Sequence, residues 1–245
     1  MTLAAQSPAL QRTPLHGMHV ALGAQMGPFG GYEMPIRYPS GIMKEHLHTR
    51  AAASLFDVSH MGQIVLRPDS GSLADVALAL ERLVPVDVLG LAAGRQRYAF
   101  FTNTNGGIVD DLMIAHGDDH FVLLVNASQK AIDEAYLRAS MARVCTVEVW
   151  EGRALLALQG PAAHAVLARL APDSATMHFM DVRILAIAGC TCLVSRSGYT
   201  GEDGFEISIA APRAEDLAGR CFRCICRSRR PRQLTDRGWL VPLWF

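Results

Sequence analysis

Asn103-Thr104-Asn105-Gly106-Gly107 separates two stretches that read as strands, Arg97-Tyr98-Ala99-Phe100-Phe101 before it and Ile108-Val109-Asp110-Asp111-Leu112-Met113-Ile114 after it. A connection this short can only join antiparallel neighbours, because a parallel pair needs a crossover of a dozen or more residues. Asn-Gly-Gly supplies the positive-φ positions of a tight hairpin turn. A second turn, Gly117-Asp118-Asp119, leads into a third strand, Phe121 to Asn126, so the three form a meander. The hairpin carries two adjacent acids where an apolar strand begins. Aspartate is a poor strand former and is costly to bury unless paired. The two acids are therefore a solvated rim or part of a site, and local pattern alone favours the solvated rim. Successive strand side chains face opposite ways, so one acid at most faces a given pocket and the other is a bystander.

Around the meander the chain mixes strands with helices. Ile42 to Ala53 has apolar residues at helical spacing, with Ser40 as its N-cap. Gln63 to Arg67 reads as a strand, Leu73 to Leu83 as a helix, and Ser128 to Met141 as another. Cys145–Trp150, Ala154–Gln159, Val182–Ile187, Cys190–Ser195 and Phe205–Ile209 read as strands. Helices follow Gly160-Pro161, with Pro in the first turn, and Pro212. No strand leads into G-x-G-x-x-G and no P-loop occurs, so the fold class is α+β rather than a doubly wound nucleotide-binding sheet.

The 245 residues are half hydrophobic and 19% charged, which suits a globular core. No apolar run reaches the roughly 18 residues of a membrane span. Met1 to Thr13 has neither signal-peptide nor transit-peptide character, and the expectation is a cytoplasmic protein whose residues 1–12 form a disordered extension. The zero net charge hides an asymmetry: residues 220–237 hold seven arginines and one aspartate, and the rest holds 16 basic against 22 acidic residues. An acidic body argues against nucleic acid as the main partner. Cys145, Cys190 and Cys192 lie in apolar contexts and read as reduced thiols. Cys221, Cys224 and Cys226 lack a fourth ligand at zinc spacing, so no metal site is expected.

Several residues admit a bland and a functional reading. Phe205-Glu206-Ile207-Ser208-Ile209 alternates apolar and polar, which by default puts Glu206 in water; as a functional residue it would accept from a guanidine-like ring edge. His60 reads as a satisfied turn residue and Met61 as core filler. Tyr98, Asp111 and Asn126 could share one face of the meander, depending on register. No G-x-S-x-G, H-E-x-x-H or Cys-His signature signals nucleophilic or metal catalysis.

Taken together, Thr13-Pro14-Leu15-His16, Phe29-Gly30-Gly31-Tyr32-Glu33-Met34-Pro35, Leu55-Phe56-Asp57-Val58-Ser59-His60-Met61-Gly62, Gly106 to Leu112, Val125-Asn126-Ala127, Ala157-Leu158-Gln159-Gly160-Pro161 and Ser195 to Glu206 resemble the aminomethyltransferase (T-protein) family of the glycine cleavage system. They run in family order from residue 13 to about residue 219. The resemblance implies a folate-binding α+β fold of three domains around a central channel. It implies transfer of an aminomethyl group from the lipoyl arm of the H-protein to tetrahydrofolate, giving 5,10-methylenetetrahydrofolate and ammonia, with the P- and L-proteins as functional partners. By the same resemblance Asp111 is the key catalytic carboxylate, Glu206 holds the pterin edge, and Met61, Tyr98, Asn126 and Tyr199 line the folate site. The nucleophile is a folate nitrogen, so the protein's task is orientation and charge placement.

After Gly219 the resemblance stops, and the family's Gly-Leu-Gly-Ala-Arg-Asp motif and C-terminal β-rich domain do not follow. Shifting the reading frame by one nucleotide across Arg227 to Trp239 permits Gly-Leu-Gly-Ala-Arg-Asp-Ser-Leu-Arg-Ile-Glu-Ala-Gly, the missing motif at its expected place. The hypothesis is a frameshift near residues 220–226, which makes 220–245 an out-of-frame tail and its basic charge and cysteines accidental. The coding DNA tests it; no shifted-frame match refutes it. Such a chain should bind folate weakly, expose apolar surface and show little activity. Two alternatives stay within the fold: a folate-dependent demethylase or sarcosine-type dehydrogenase domain, and a non-catalytic folate-binding scaffold.

Overall fold

The computed structural model describes residues 9–69 and 71–227. Two five-stranded sheets carry the chain, and every ladder in them is antiparallel. The elements that matter for the site are the hairpin β1 (Gln25–Phe29) and β2 (Tyr32–Arg37), helix α2 (Ile42–Ala51), which follows the short α1 (His16–Ala21), and strands β3 (Ser54–Asp57) and β4 (Gly62–Pro68). Helix α3 (Leu73–Leu80) is followed by the meander β5 (Gln96–Thr102), β6 (Ile108–His116) and β7 (Phe121–Val125). Then come α4 (Lys130–Met141), β8 (Cys145–Val149), β9 (Arg153–Gln159), α5 (Ala163–Ala168), β10 (Val182–Ile187), β11 (Cys190–Ser195), β12 (Gly204–Ala210) and α6 (Ala214–Arg227). The first sheet runs β10-β11-β12-β9-β3 and the second β5-β6-β7-β4-β8. The α+β expectation and the meander both hold.

Each sheet buries one face under its own helices. Leu156, Leu158, Val194, Phe205 and Ile207 pack with Val166 and Leu167 of α5 and with Leu217, Cys221 and Ile225 of α6. Ile64, Phe101, Leu112, Ile114 and Leu123 pack with Val76 and Leu80 of α3 and Leu137 and Met141 of α4. The opposite faces meet through two small clusters: Phe56, Val58, Leu155 and Ala157 with Met61 and Leu124, and Val65, Ala115, Val122 and Val182 with Trp150 and Leu193. Strands of the first sheet are therefore covered on both sides. Buried apolar side chains of the kind that fill these layers each contribute about 1.5–3 kcal/mol relative to exposure.

Several local expectations change. Helix α2 forms where expected, but its N-cap is Gly41 with φ 87°, and no side chain caps it. Ser40 instead hydrogen-bonds Glu45 Oε1 at 3.2 Å, an oxygen that also accepts from the Tyr38 N–H at 3.0 Å. The buried residues of α2 are Glu45 and Thr49, while Ile42, Met43 and Leu47 are exposed. Glu45, bonded through Oε1 alone, and Thr49, which bonds the Glu45 carbonyl and Ser54, take the inside of this helix in place of the apolar stripe. In the Asn103–Gly107 turn only Gly106 has a positive φ, 77°. Gly107 is needed for a different reason: a Cβ there would come 2.9 Å from the Asn103 amide, whose Oδ1 accepts the N–H groups of Asn105 and Gly107.

At the N-terminus, Gln11 forms a parallel bridge with Tyr32, and Arg12 and His16 pair with Glu33, so Gln11 and Arg12 of the expected disordered extension are tied to β2, while residues 1–8 lie outside the described residues. At the other end α6 runs through Gly219 without a break to Arg227, and Cys221 and Ile225 are buried in the core. Burial pushes the Cys221 thiol up to about 12. Most of the shifted-frame stretch, 228–239, lies outside the described residues. Cys145 and Cys192 are buried free thiols, and Cys190 is half-buried. No helix among the described residues is long and apolar enough to cross a membrane.

Candidate functional site

The site forms where the open end of the meander meets the loop before β12. In the β5–β6 ladder Phe100 pairs with Asp111 and Tyr98 with Met113, so Tyr98 and Asp111 lie on one face as diagonal neighbours. Their side chains share a hydrogen bond, and burial together with the Asp111 charge raises the Tyr98 hydroxyl. Leu112 pairs with Val125 in the next ladder, which sets Asn126 opposite Asp111. Asn126 Nδ2 donates to Asp111 Oδ1 at 2.9 Å and to the Asp111 carbonyl at 3.2 Å. The register thus brings Tyr98, Asp111 and Asn126 together on the side away from the α3–α4 layer.

Asp110 is not a bystander. It pairs with Phe101 in the ladder, on the face turned toward α4. Its Oδ1 nevertheless accepts from the same Asn126 Nδ2, at 3.0 Å. One amide nitrogen with two hydrogens therefore serves three acceptors on two adjacent acids. Asp110 also lines the cleft of about 500 Å³ beside this corner, with Phe29, His60, Met61, Asn126 and Tyr199. Of the six candidates, Met61, Asn126 and Tyr199 line that cleft; Tyr98, Asp111 and Glu206 stand around it rather than in its wall.

Met61 is placed by a turn. The Ser59 N–H donates to Asp57 Oδ1 at 3.0 Å, and the Met61 N–H to the Val58 carbonyl. Asp57 is itself buried, and its Oδ2 hydrogen-bonds His19 Nε2 at 2.9 Å. Next to Met61, Gly62 lets β4 approach β7: a Cβ would sit 2.6 Å from Val125. His60 is buried between the Phe29 and Tyr32 rings, and its Nδ1 has no protein partner. Burial lowers its pKa, against the opposing charge of Asp57.

Glu206 differs most from the local expectation, because β12 lies between two layers and its polar face meets protein rather than water. Glu206 is only 6% exposed. Its Oε2 accepts from Ser197 Oγ at 2.6 Å and from Ser195 Oγ at 3.4 Å. Burial raises its pKa, and the two hydroxyls offset that in part. Tyr199 joins the two sheets' acids. Its hydroxyl touches Met61 Sδ at 3.7 Å. The residue is 58% exposed, and desolvation at its hydroxyl first, then the charges of Glu206 and Asp111, push that group up to about 12.

The Ser197–Gly204 loop that carries Tyr199 is wrapped on Gln159, a residue whose role the strand pattern did not reveal. Gln159 Nε2 donates to the Ser197 carbonyl and Oε1 accepts from Thr200 Oγ1, both at 2.9 Å. A Cβ at Gly198 or Gly204 would fall 1.9 or 2.2 Å from the Gln159 amide. Arg50 Nη1 reaches the Thr200 carbonyl at 2.8 Å, and Arg196 holds Asp203 through two bonds at 2.9 and 2.7 Å. The available signal was the pair of motifs: a Gln-Gly-Pro and a glycine-rich loop that resemble one family are partners in space.

Residues 15–223 match the GCVT N-terminal domain family. The chain belongs to that family. The mitochondrial aminomethyltransferase of Dictyostelium discoideum is 40% identical over 219 residues, which is 85% of this chain and 53% of that protein. The aminomethyltransferase of Symbiobacterium thermophilum is 42% identical over 221 residues, 86% of this chain and 56% of that one. The crystal structure of glycine cleavage system aminomethyltransferase T from Bartonella henselae aligns with a TM-score of 0.80 at 39% identity, over 87% of this chain and 57% of that chain. The chain thus spans about half the length of the relatives it matches. The heterotetrameric sarcosine oxidase of Corynebacterium sp. U-96 shares the fold, with a TM-score of 0.58 at 21% identity over 95% of that chain.

Proposed function

We propose that the cleft is the pterin half of a tetrahydrofolate site and that the chain derives from an aminomethyltransferase of glycine cleavage. In that reaction an aminomethyl group on the lipoyl arm of the H-protein passes to tetrahydrofolate, with the P- and L-proteins completing the cycle. The observation that carries the reading is the gathering of Tyr98, Asp111 and Asn126 from one sheet and Tyr199 and Glu206 from the other around Met61. The lining suits such a ligand: the Asp110 carboxyl and the Asn126 amide for an N–H-rich heteroaromatic edge, and the Met61 thioether with the Tyr199 phenol for its faces, with Asp111, Glu206 and Tyr98 set around it.

Tetrahydrofolate, when bound, supplies the nucleophilic nitrogen. Glu206, held by Ser195 and Ser197, accepts ring N–H groups in a charge-assisted contact. Asp111, held by Asn126 and next to Tyr98, orients the ligand and stabilises the positive charge that develops during transfer. Cytoplasmic action is part of this reading, although relatives include mitochondrial proteins.

Two measurements test it. Calorimetric titration of the chain with a reduced folate should give weak binding that Glu206→Gln weakens by about tenfold, the effect of a lost charged hydrogen bond; no binding would remove the reading. In a full-length relative completed beyond residue 227, ammonia release should need both lipoylated H-protein and tetrahydrofolate. The Asp111→Asn variant there should turn over about 10²–10³ times more slowly, the range seen when one electrostatic stabiliser is lost, with folate affinity less affected. Near-normal turnover would sink the role of Asp111.

A further inference from the structure

Three buried carboxyl oxygens near the cleft have no hydrogen-bond donor: Oδ2 of Asp110 and both oxygens of Asp133. Asp133 lies in the first turn of α4 and is 0% exposed. It belongs to the helix's inward stripe, one turn from Leu137 and two from Met141. Phe101, the ladder partner of Asp110, packs edge-on against Tyr136 of the same helix with ring centroids 5.6 Å apart. The face of β6 that Asp110 occupies is therefore the face covered by α4. The two carboxyl groups are within hydrogen-bond contact of each other.

Two ionised carboxylates cannot make that contact, because each offers lone pairs only and like charges oppose the second ionisation. One proton held between them resolves it. Asp110 already accepts from Asn126 and is the less buried of the two, so it is the acceptor of the pair. Asp133 is sealed from water and receives no protein N–H, which favours its neutral form. The charged groups acting on Asp133 are Asp110 and Asp111, both from β6; with burial as the largest cause, they push it up to about 7.

We propose that Asp133 is a positioning residue of this site, a carboxylic acid that, while protonated, donates its proton in a hydrogen bond to Oδ2 of Asp110. The buried Oδ2 of Asp110 then has a donor, and of the three unpartnered oxygens only the carbonyl oxygen of Asp133 is left without one. The Asp133 hydroxyl supplies Asp110 from behind the sheet, and Asn126 Nδ2 supplies Asp110 Oδ1 and Asp111 Oδ1 from the cleft side. The bonded corner carries two charges instead of three. Asp110 cannot rotate away from Asn126 without breaking its bond to α4, so the helix fixes the amide that fixes Asp111. The positioning role rests on the reading of the corner as part of a folate site; the proton sharing does not.

Infrared spectra of the whole 245-residue chain across pH test the proton directly. The wild type should show a protonated-carboxyl C=O band that persists above the ordinary carboxylate range and fades with a midpoint near 7. Asp133→Asn should abolish that band, and Asp110→Asn should move its midpoint to lower pH by removing the facing charge. No such band in the wild type, or a band unchanged in Asp133→Asn, overturns the proposal. Titration with 5-formyltetrahydrofolate supplies the second readout. Asp133→Asn keeps a donor toward Asp110 and should bind within about twofold of wild type, whereas Asp133→Leu should bind about tenfold more weakly, the worth of one hydrogen bond. Equal weakening in both variants overturns the hydrogen-bond account; if the Leu variant does not fold, the infrared titration of the other two decides. A band that behaves as stated in a wild type that binds no folate keeps the proton sharing and removes the folate reading.

Discussion

The two sheets hold their acids in opposite ways. Glu206 stands on a central strand covered on both sides, fixed by two serine hydroxyls and a loop that closes over Gln159. Asp111 stands at the open end of a hairpin, next to a tyrosine that is 52% exposed, and is held by one amide. The first seat is rigid and dry, so its acid can be trusted to stay in place and meet a fixed ligand edge. The second is open to water and reachable, which suits a group that must act on a reacting atom. The price of the first arrangement is intolerance, because every glycine in the loop is there to make room. The second needs support from behind, which Asp110 and α4 provide.

The largest expected effect breaks the rigid seat. Gly198→Ala puts a Cβ 1.9 Å from Gln159 Oε1 at a φ of 155°. The clash and the strained backbone together should destabilise the chain by about 3–5 kcal/mol in urea unfolding. Gly107→Ala in the open seat meets only the end of the exposed Asn103 side chain and should cost about 1 kcal/mol. Combining Gly198→Ala with Gln159→Ala should recover part of the loss, since the two residues compete for one volume. Equal costs at Gly198 and Gly107 would erase the distinction between the seats.

A second expectation concerns pH. The Asp133 carboxyl is raised in the folded chain to about 7 from 3.8. The folded state then holds more protons than the unfolded one between those values, so this contribution is full below about 3.8 and is lost as pH rises through about 7. Glu206, also raised by burial, acts with the same sign. Asp133→Asn removes the Asp133 part. The stability of that variant relative to wild type should therefore rise by on the order of 3 kcal/mol between pH 4 and 7, read from urea unfolding at each pH. A flat difference would mean that Asp133 ionises normally.

How much of this was legible follows from where each residue packs. The meander was readable because turn chemistry and strand composition agree over a short span. The faces of β12 and α2 were not, because alternation and helical spacing report a preference for burial without saying how many layers a segment touches. Glu206 looks solvated in a strand pattern and is buried because another sheet lies on its polar side. The apolar stripe of α2 points outward because Glu45 found two donors inside. Tyr98, Asp111 and Asn126 needed the register, which the ladders supply and the sequence does not. Asp133 did leave a trace: an acid four residues before Leu137 and eight before Met141 sits on the stripe that should be apolar. Its partner, 23 positions earlier on another element, left none.

The smallest expected effect is the sharpest test of the open seat. Asp111→Asn removes a charge beside Asp110 and puts an amide where Asn126 now donates. The lost acceptor strength and the relieved repulsion oppose each other, and the site is exposed, so stability should change by no more than about 0.5 kcal/mol. The substituted amide can still accept from Asn126 through its oxygen, so the corner's geometry should survive. The Tyr98 hydroxyl, raised partly by the Asp111 charge, should titrate at lower pH in the variant, which ultraviolet difference spectra would read. A stability loss above about 2 kcal/mol, the cost of an unpaired buried polar group, would show that Asp111 is part of the framework like Glu206, and the contrast between the two seats would fall.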